Sequence, residues 1–165
     1  MKLLQAVKVV LFAPVALVAS MAADPLERFG PYISHNEGFH LSPYKDTTGH
    51  YTVGVGHKLR VHEAIRVYTA KEVSELFRAD LLVAVHDARK LFPEFDRLPL
   101  PAQLVIVDLS FQLGYPGFFK FHHFRRSVRQ GDWKEAAREL YYSDYYEQCE
   151  GRASRNIRQL ESLVP

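Results

Sequence analysis

Two carboxylic acids and a threonine stand close together in the stretch Glu37–His57, EGFHLSPYKDTTGHYTVGVGH: Glu37, then Asp46 nine residues on, then Thr52 six beyond that. Glu37 falls at the C-terminal end of a short predicted helix closed by Gly38. The negative end of a helix dipole and partial burial in a cleft both disfavour ionisation, so Glu37 is expected to stay protonated near neutral pH. Asp46 falls in a polar turn beside Lys45 and is expected to stay charged. A proton donor facing a carboxylate is the arrangement that cleavage of a glycosidic bond requires. Each residue also has a plainer reading, with both acids as surface carboxylates and Thr52 as an ordinary strand residue.

The elements that must position these groups are legible from pattern. Turn residues at Asp46–Gly49 and a β-type run at Tyr51–Val55 predict a hairpin over 43–57. Alternation along it turns Thr52, Gly54 and Gly56 one way and Val53, Val55 and His57 the other. A hydroxyl followed by two bare backbone positions leaves room for a flat sugar, because glycines inside a strand signal close approach by something else. Asp24-Pro25 reads as a helix start, Gly30-Pro31 as its interruption, and Pro31–Glu37 as a second short helix. Thr69 and Glu72 form a capping box ahead of Val73, Leu76, Phe77, Leu81, Ala84, Val85, Ala88 and Leu91, which recur at helical spacing for about six turns. An apolar helix is predicted from about Ala102 to Leu113, ended by Gly114. Another is capped by Asp132 with Glu135, and a last one covers Arg152–Leu163. The sum is a small β-containing N-terminal lobe and a larger helical C-terminal lobe.

Composition bounds the function. The chain has 165 residues, 47% apolar and 24% charged, enough for one packed domain. The formal charge is +2, but it resides in Lys2 and Lys8. The remainder carries 19 basic and 19 acidic residues, which removes the electrostatic case for nucleic acid. One cysteine, Cys149, excludes a disulfide within the chain and a multi-cysteine metal site. The eight histidines show neither an HExxH pattern nor paired-ligand spacing, so no metal is expected.

Residues 1–23 read apart from the rest. A basic start precedes the apolar run Val9–Ala19 and small residues at Ser20-Met21-Ala22 and Met21-Ala22-Ala23. That is the pattern of a secretory signal, and the run is shorter than the ~17–25 residues of a stable spanning helix. A weak anchor that enters the membrane and later slips out fits equally, and a buried helix of the domain is the third reading. Both export readings deliver residues 24–165 to the periplasmic side of the inner membrane, with transient membrane contact through residues 1–23.

Glu37-Gly38, Tyr44-Lys45-Asp46, Gly49, Thr52, Gly54 and Gly56-His57 occur in an order and spacing that resemble the phage-type (T4-like) lysozymes and endolysins, glycoside hydrolase family 24. Phe111-Gln112-Leu113-Gly114, Trp133 with Glu135-Ala136-Ala137, Gln148, Gly151-Arg152-Ala153 and Arg155 continue the likeness, which runs from about residue 30 to 160. The resemblance implies an α+β, two-lobed lysozyme fold over residues 24–165, its lobes joined by the long Thr69–Leu91 helix. It implies hydrolysis, with inversion, of the β-1,4 bond between N-acetylmuramic acid and N-acetylglucosamine in peptidoglycan strands, by a monomer needing no cofactor. Glu37 would be the proton donor, Asp46 would act on the opposite face, and Thr52 would help place the attacking water. Phe111, Gly54 and Gly56 would contact substrate. His57 and Asp80 would form an ion pair between the lobes, and Arg152 would orient the carboxyl of Glu37. Lys58, Phe124 and Glu139 depart from the family, standing where its best-known members carry smaller or neutral residues that touch substrate. The segment between His57 and Thr69 is shorter than in the best-known member, so a trimmed β-lobe is expected. The rival from another class is a catalytically silent peptidoglycan-binding module on the same fold.

Overall fold

The computed structural model describes residues 24–46 and 49–165, and at Asn36 and Glu37 the backbone alone. The signal or anchor segment 1–23 lies outside the described residues, as do Thr47 and Thr48.

Helix α1 runs Pro25–Glu37 and begins as its sequence signals, with the Asp24 carboxylate accepting from the Leu26 N–H at 3.1 Å. The expected break at Gly30-Pro31 is corrected: one helix spans both halves, with Pro31 inside it. A proline forfeits one helical hydrogen bond and crowds the preceding turn, at about 3 kcal/mol. Phe29 and Ile33, on either side of it, are fully covered by the core. Burying two such side chains stabilises by ~1.5–3 kcal/mol each, enough to carry the helix through. Pro31 itself lies on the exposed side.

The small lobe is a three-stranded antiparallel sheet in sequence order, β1 (His40–Lys45), β2 (Tyr51–Gly54) and β3 (His57–Lys58). The predicted hairpin is present, begins earlier than expected and gains a third strand. Asp46, Gly49 and His50 bond across its end: the Asp46 N–H donates to the His50 carbonyl and the Gly49 N–H to the Asp46 carbonyl, both at 2.9 Å. Regular alternation ends at Gly54. Gly54 and Gly56 have φ of 66° and 77°, a left-handed backbone that reverses the chain. Val53 and His57 do share a face, but by pairing across that reversal.

Helix α2 (Ala70–Leu91) opens on the predicted capping box, the Thr69 hydroxyl accepting from the Glu72 N–H while the Glu72 carboxylate accepts from the Thr69 N–H. Its 22 residues span about 33 Å. The first turn joins the small lobe, where Val73 packs with Val53 and Tyr68. From Phe77 onward the buried face belongs to the main core. The helix therefore runs from one lobe into the other.

The large lobe adds a short 3-10 turn (Phe95–Arg97), α3 (Leu100–Phe119), α4 (His122–Gln130), α5 (Trp133–Tyr141), α6 (Asp144–Gln148) and α7 (Glu150–Glu161). In α3 the predicted stop at Gly114 is real as a kink (φ 61°, ψ 173°), after which the chain resumes its helix. Asp132 caps α5, accepting from the Glu135 N–H at 3.0 Å. The last helix starts at Glu150, not Arg152. Phe124 is buried against Phe118, inside the core. Among the described residues no helix is long and apolar enough to cross a membrane.

Candidate active site

A groove of about 660 Å³ opens between the sheet and helices α2 and α3. Asp46 and Thr52 line it from the small lobe, Asp80 from α2 and Phe111 from α3. Glu37 is the last residue of α1, ended by Gly38 with φ 73°; its side chain lies outside the described part. Phe111 is half-buried, meets Phe77 edge-on at 5.9 Å and also lines the groove.

The two glycines separate. Gly56 lines the groove, whereas Gly54 does not. The close approach expected at Gly54 exists, but its partner is α2: a Cβ there would sit 2.7 Å from the Val73 methyl Cγ1. The bare position lets the small lobe pack on the helix.

Asp46 is held by its own turn, Oδ1 accepting from the His50 N–H at 2.9 Å. The cation that reaches it is not the neighbouring Lys45, whose ammonium lies over the Tyr51 ring, but Lys58, 3.3 Å from Oδ2. Thr52 is almost fully buried beneath the groove, its hydroxyl 3.5 Å from the His50 carbonyl.

His57 makes the expected contact with Asp80, at 2.7 Å from Nδ1, and a second one with Glu63, at 3.0 Å from Nε2. The hydrogen bond to Asp80 raises its pKa above the ordinary imidazole range; burial opposes this and Glu63 reinforces it. At Glu63 desolvation works upward but is outweighed by hydrogen bonds from the Arg60 amide and His57, which leave its carboxyl below the usual range. A buried imidazole flanked by two carboxylates thus ties β3 to α2 and to the loop that follows β3.

Arg152 is anchored by a residue the sequence reading overlooked. Its Nε and Nη2 donate to Asp108 at 2.7–3.0 Å, and Asp108 is wholly buried. Asn156 donates to the same carboxylate at 2.8 Å and accepts from the Tyr32 hydroxyl at 2.8 Å. Burial, with the Asp108 charge adding to it, pushes the Tyr32 phenol well above its usual range, so it stays a donor. The chain Tyr32–Asn156–Asp108–Arg152 locks α1, five residues before Glu37, to α3 and α7. Its sequence signal is a lone aspartate in the apolar run Leu104–Leu109.

The sequence model of the family described as "Phage lysozyme" matches residues 34–161. The chain belongs to that family. Among similar proteins are "Probable T4-type lysozyme 1" and "Probable T4-type lysozyme 2" of Dictyostelium discoideum, 27% and 28% identical over 155 residues. Each alignment covers 79% of this chain and 91% of the relative. "Pre-baseplate central spike protein Gp5" of Enterobacteria phage T4 is 28% identical over 156 residues, 80% of this chain. The chain spans only 27% of the length of that spike protein. The mainly helical architecture with a small antiparallel sheet is the α+β lysozyme fold.

Proposed function

We propose that the protein is an endolysin-type muramidase that hydrolyses the β-1,4 bond between N-acetylmuramic acid and N-acetylglucosamine in peptidoglycan, with inversion. The observation that carries this reading is the convergence of Asp46, Thr52 and Phe111 on one groove, in a chain of the phage lysozyme family. Glu37, at the negative end of α1, is the proton donor to the departing glycosidic oxygen. Asp46 accepts a proton from a water that attacks the opposite face of the sugar, which inverts the anomeric carbon. Thr52 helps place that water. Arg152, held rigid by Asp108, restrains the orientation of the Glu37 carboxyl, and His57 with Asp80 keeps the sheet in register with α2. The reaction needs no cofactor, because two carboxyl groups and water complete it.

Residues 1–23 deliver the enzyme to the periplasmic side of the inner membrane, as a cleaved signal or a releasable anchor. N-terminal sequencing of the periplasmic form distinguishes these: a start near Ala23 means cleavage, an intact Met1 a released anchor.

The test is digestion of purified peptidoglycan by the full chain. Wild type should generate new reducing ends on N-acetylmuramic acid, and Glu37→Gln should lower the rate by about 10²–10⁴-fold. Undiminished hydrolysis by Glu37→Gln would remove the acid assignment. Binding without cleavage by wild type would leave a glycan-binding module in its place.

A further inference from the structure

The groove contains a cation that the chemistry above leaves unused. In the sheet Tyr44 pairs with Thr52, and Thr52 in turn pairs with Lys58. Directly opposed residues of antiparallel strands share a face. Tyr44, Thr52 and Lys58 therefore form one row across the three strands, and all three line the groove. From the end of this row the Lys58 ammonium reaches Asp46 Oδ2 at 3.3 Å. The other oxygen, Oδ1, is held from the turn by the His50 N–H at 2.9 Å.

Asp46 is thus held at Oδ1 by a backbone amide of the turn after β1 and at Oδ2 by a side chain of strand β3. Lys58 is 59% exposed and Asp46 18%, so the cation closes over a mostly covered carboxylate from the solvent side. So exposed an ion pair contributes little to fold stability. Its consequence is geometric. Each further contact on a carboxylate narrows the range its side-chain torsions can sweep, which matters because catalytic efficiency falls steeply with misplacement of the reacting group.

We propose that Lys58 is a positioning residue for Asp46, fixing Oδ2 so that the carboxylate meets the attacking water in one orientation. This rests on the reading of Asp46 as the water-activating group. It also explains how Lys58, which departs from the family pattern at a substrate-contacting position, acts in the reaction through Asp46. The alternative use of the same ammonium is as a direct contact for anionic groups on the peptide stems of the substrate.

The experiment compares full-length wild type, Lys58→Met and Lys58→Arg by kcat and KM on soluble peptidoglycan oligomers, and by hydrogen exchange of the His50 amide. With positioning, Lys58→Met lowers kcat by about tenfold while KM stays within about twofold, and Lys58→Arg recovers most of kcat. The His50 amide, bonded to the same carboxylate, exchanges several-fold faster in Lys58→Met and at the wild-type rate in Lys58→Arg. A raised KM with unchanged kcat in Lys58→Met would overturn the proposal in favour of a stem-peptide contact, as would wild-type kcat together with wild-type His50 exchange. Wild type that cleaves no peptidoglycan would remove the muramidase reading. The His50 exchange would then still decide whether Lys58 holds Asp46.

Discussion

Replacing Asp108 by alanine should be among the most damaging single changes in the large lobe. The carboxylate is fully buried and accepts from Arg152 through two nitrogens and from Asn156. Its loss takes from Arg152, a guanidinium only 9% exposed, the carboxylate that receives its Nε and Nη2 bonds, and takes from Asn156 the acceptor of its amide in the core. Breaking a buried ion pair by removing one partner costs about 3–5 kcal/mol, because a charge held away from water loses the group that balanced it. Against a typical total of ~5–15 kcal/mol, that is a large share of the stability. For a domain of this size it corresponds to a fall in Tm of roughly 10–15 °C. The companion Asp108→Leu/Arg152→Met double variant removes both charges of this pair and should lose less than the two single losses combined. Thermal and urea unfolding followed by circular dichroism would measure both. An Asp108→Ala variant destabilised by less than about 1 kcal/mol would refute the reasoning. So would strict additivity in the double variant.

Three further outcomes are expected. The pKa of His57 is raised in the folded state, so its pairing contributes fully below the ordinary imidazole value and is lost as pH rises through the folded value. Asp80→Asn should therefore cost most stability below the ordinary imidazole value of ~6.5, and urea titrations should show the gap from wild type narrowing as pH rises beyond it through the folded value. Gly54→Ala should destabilise by about 2–4 kcal/mol, because the new Cβ meets Val73 at 2.7 Å on a φ of 66°; a double-mutant cycle with Val73→Ala should recover part of that. Pro31→Ala should raise stability by up to about 3 kcal/mol in urea unfolding, since it restores a donor to an unbroken helix.

Features governed by neighbours in the chain were legible beforehand. The capping box at Thr69 and the Asp24 and Asp132 caps need only residues two or three apart, and the buried stripe of α2 needs only a helical period. The ordered spacing from Glu37 to His57 likewise placed Asp46 and Thr52 beside one groove. What escaped depends on residues far apart. Pro31 reads locally as a breaker, and only the burial of Phe29 and Ile33 carries the helix across it. Gly54 signals close approach but cannot say to what, and the answer, Val73, lies in another lobe element. Lys45 and Lys58 are equally plausible partners for Asp46 along the chain, until the β2–β3 register brings Lys58 across from Thr52. Asp108 is 44 residues from Arg152 and Glu63 is hidden in a loop, so neither partnership has a local signature.

The central claim is that Glu37 delivers a proton while Asp46 readies water on the other face of the sugar. The most direct test is the anomeric configuration of the freshly cut N-acetylmuramic acid end, read by NMR before mutarotation. Attack by a water held on Asp46 predicts the α anomer as the first product of a β-linked strand. A first product in the β configuration would contradict it, since Asp46 would then have acted as a covalent nucleophile.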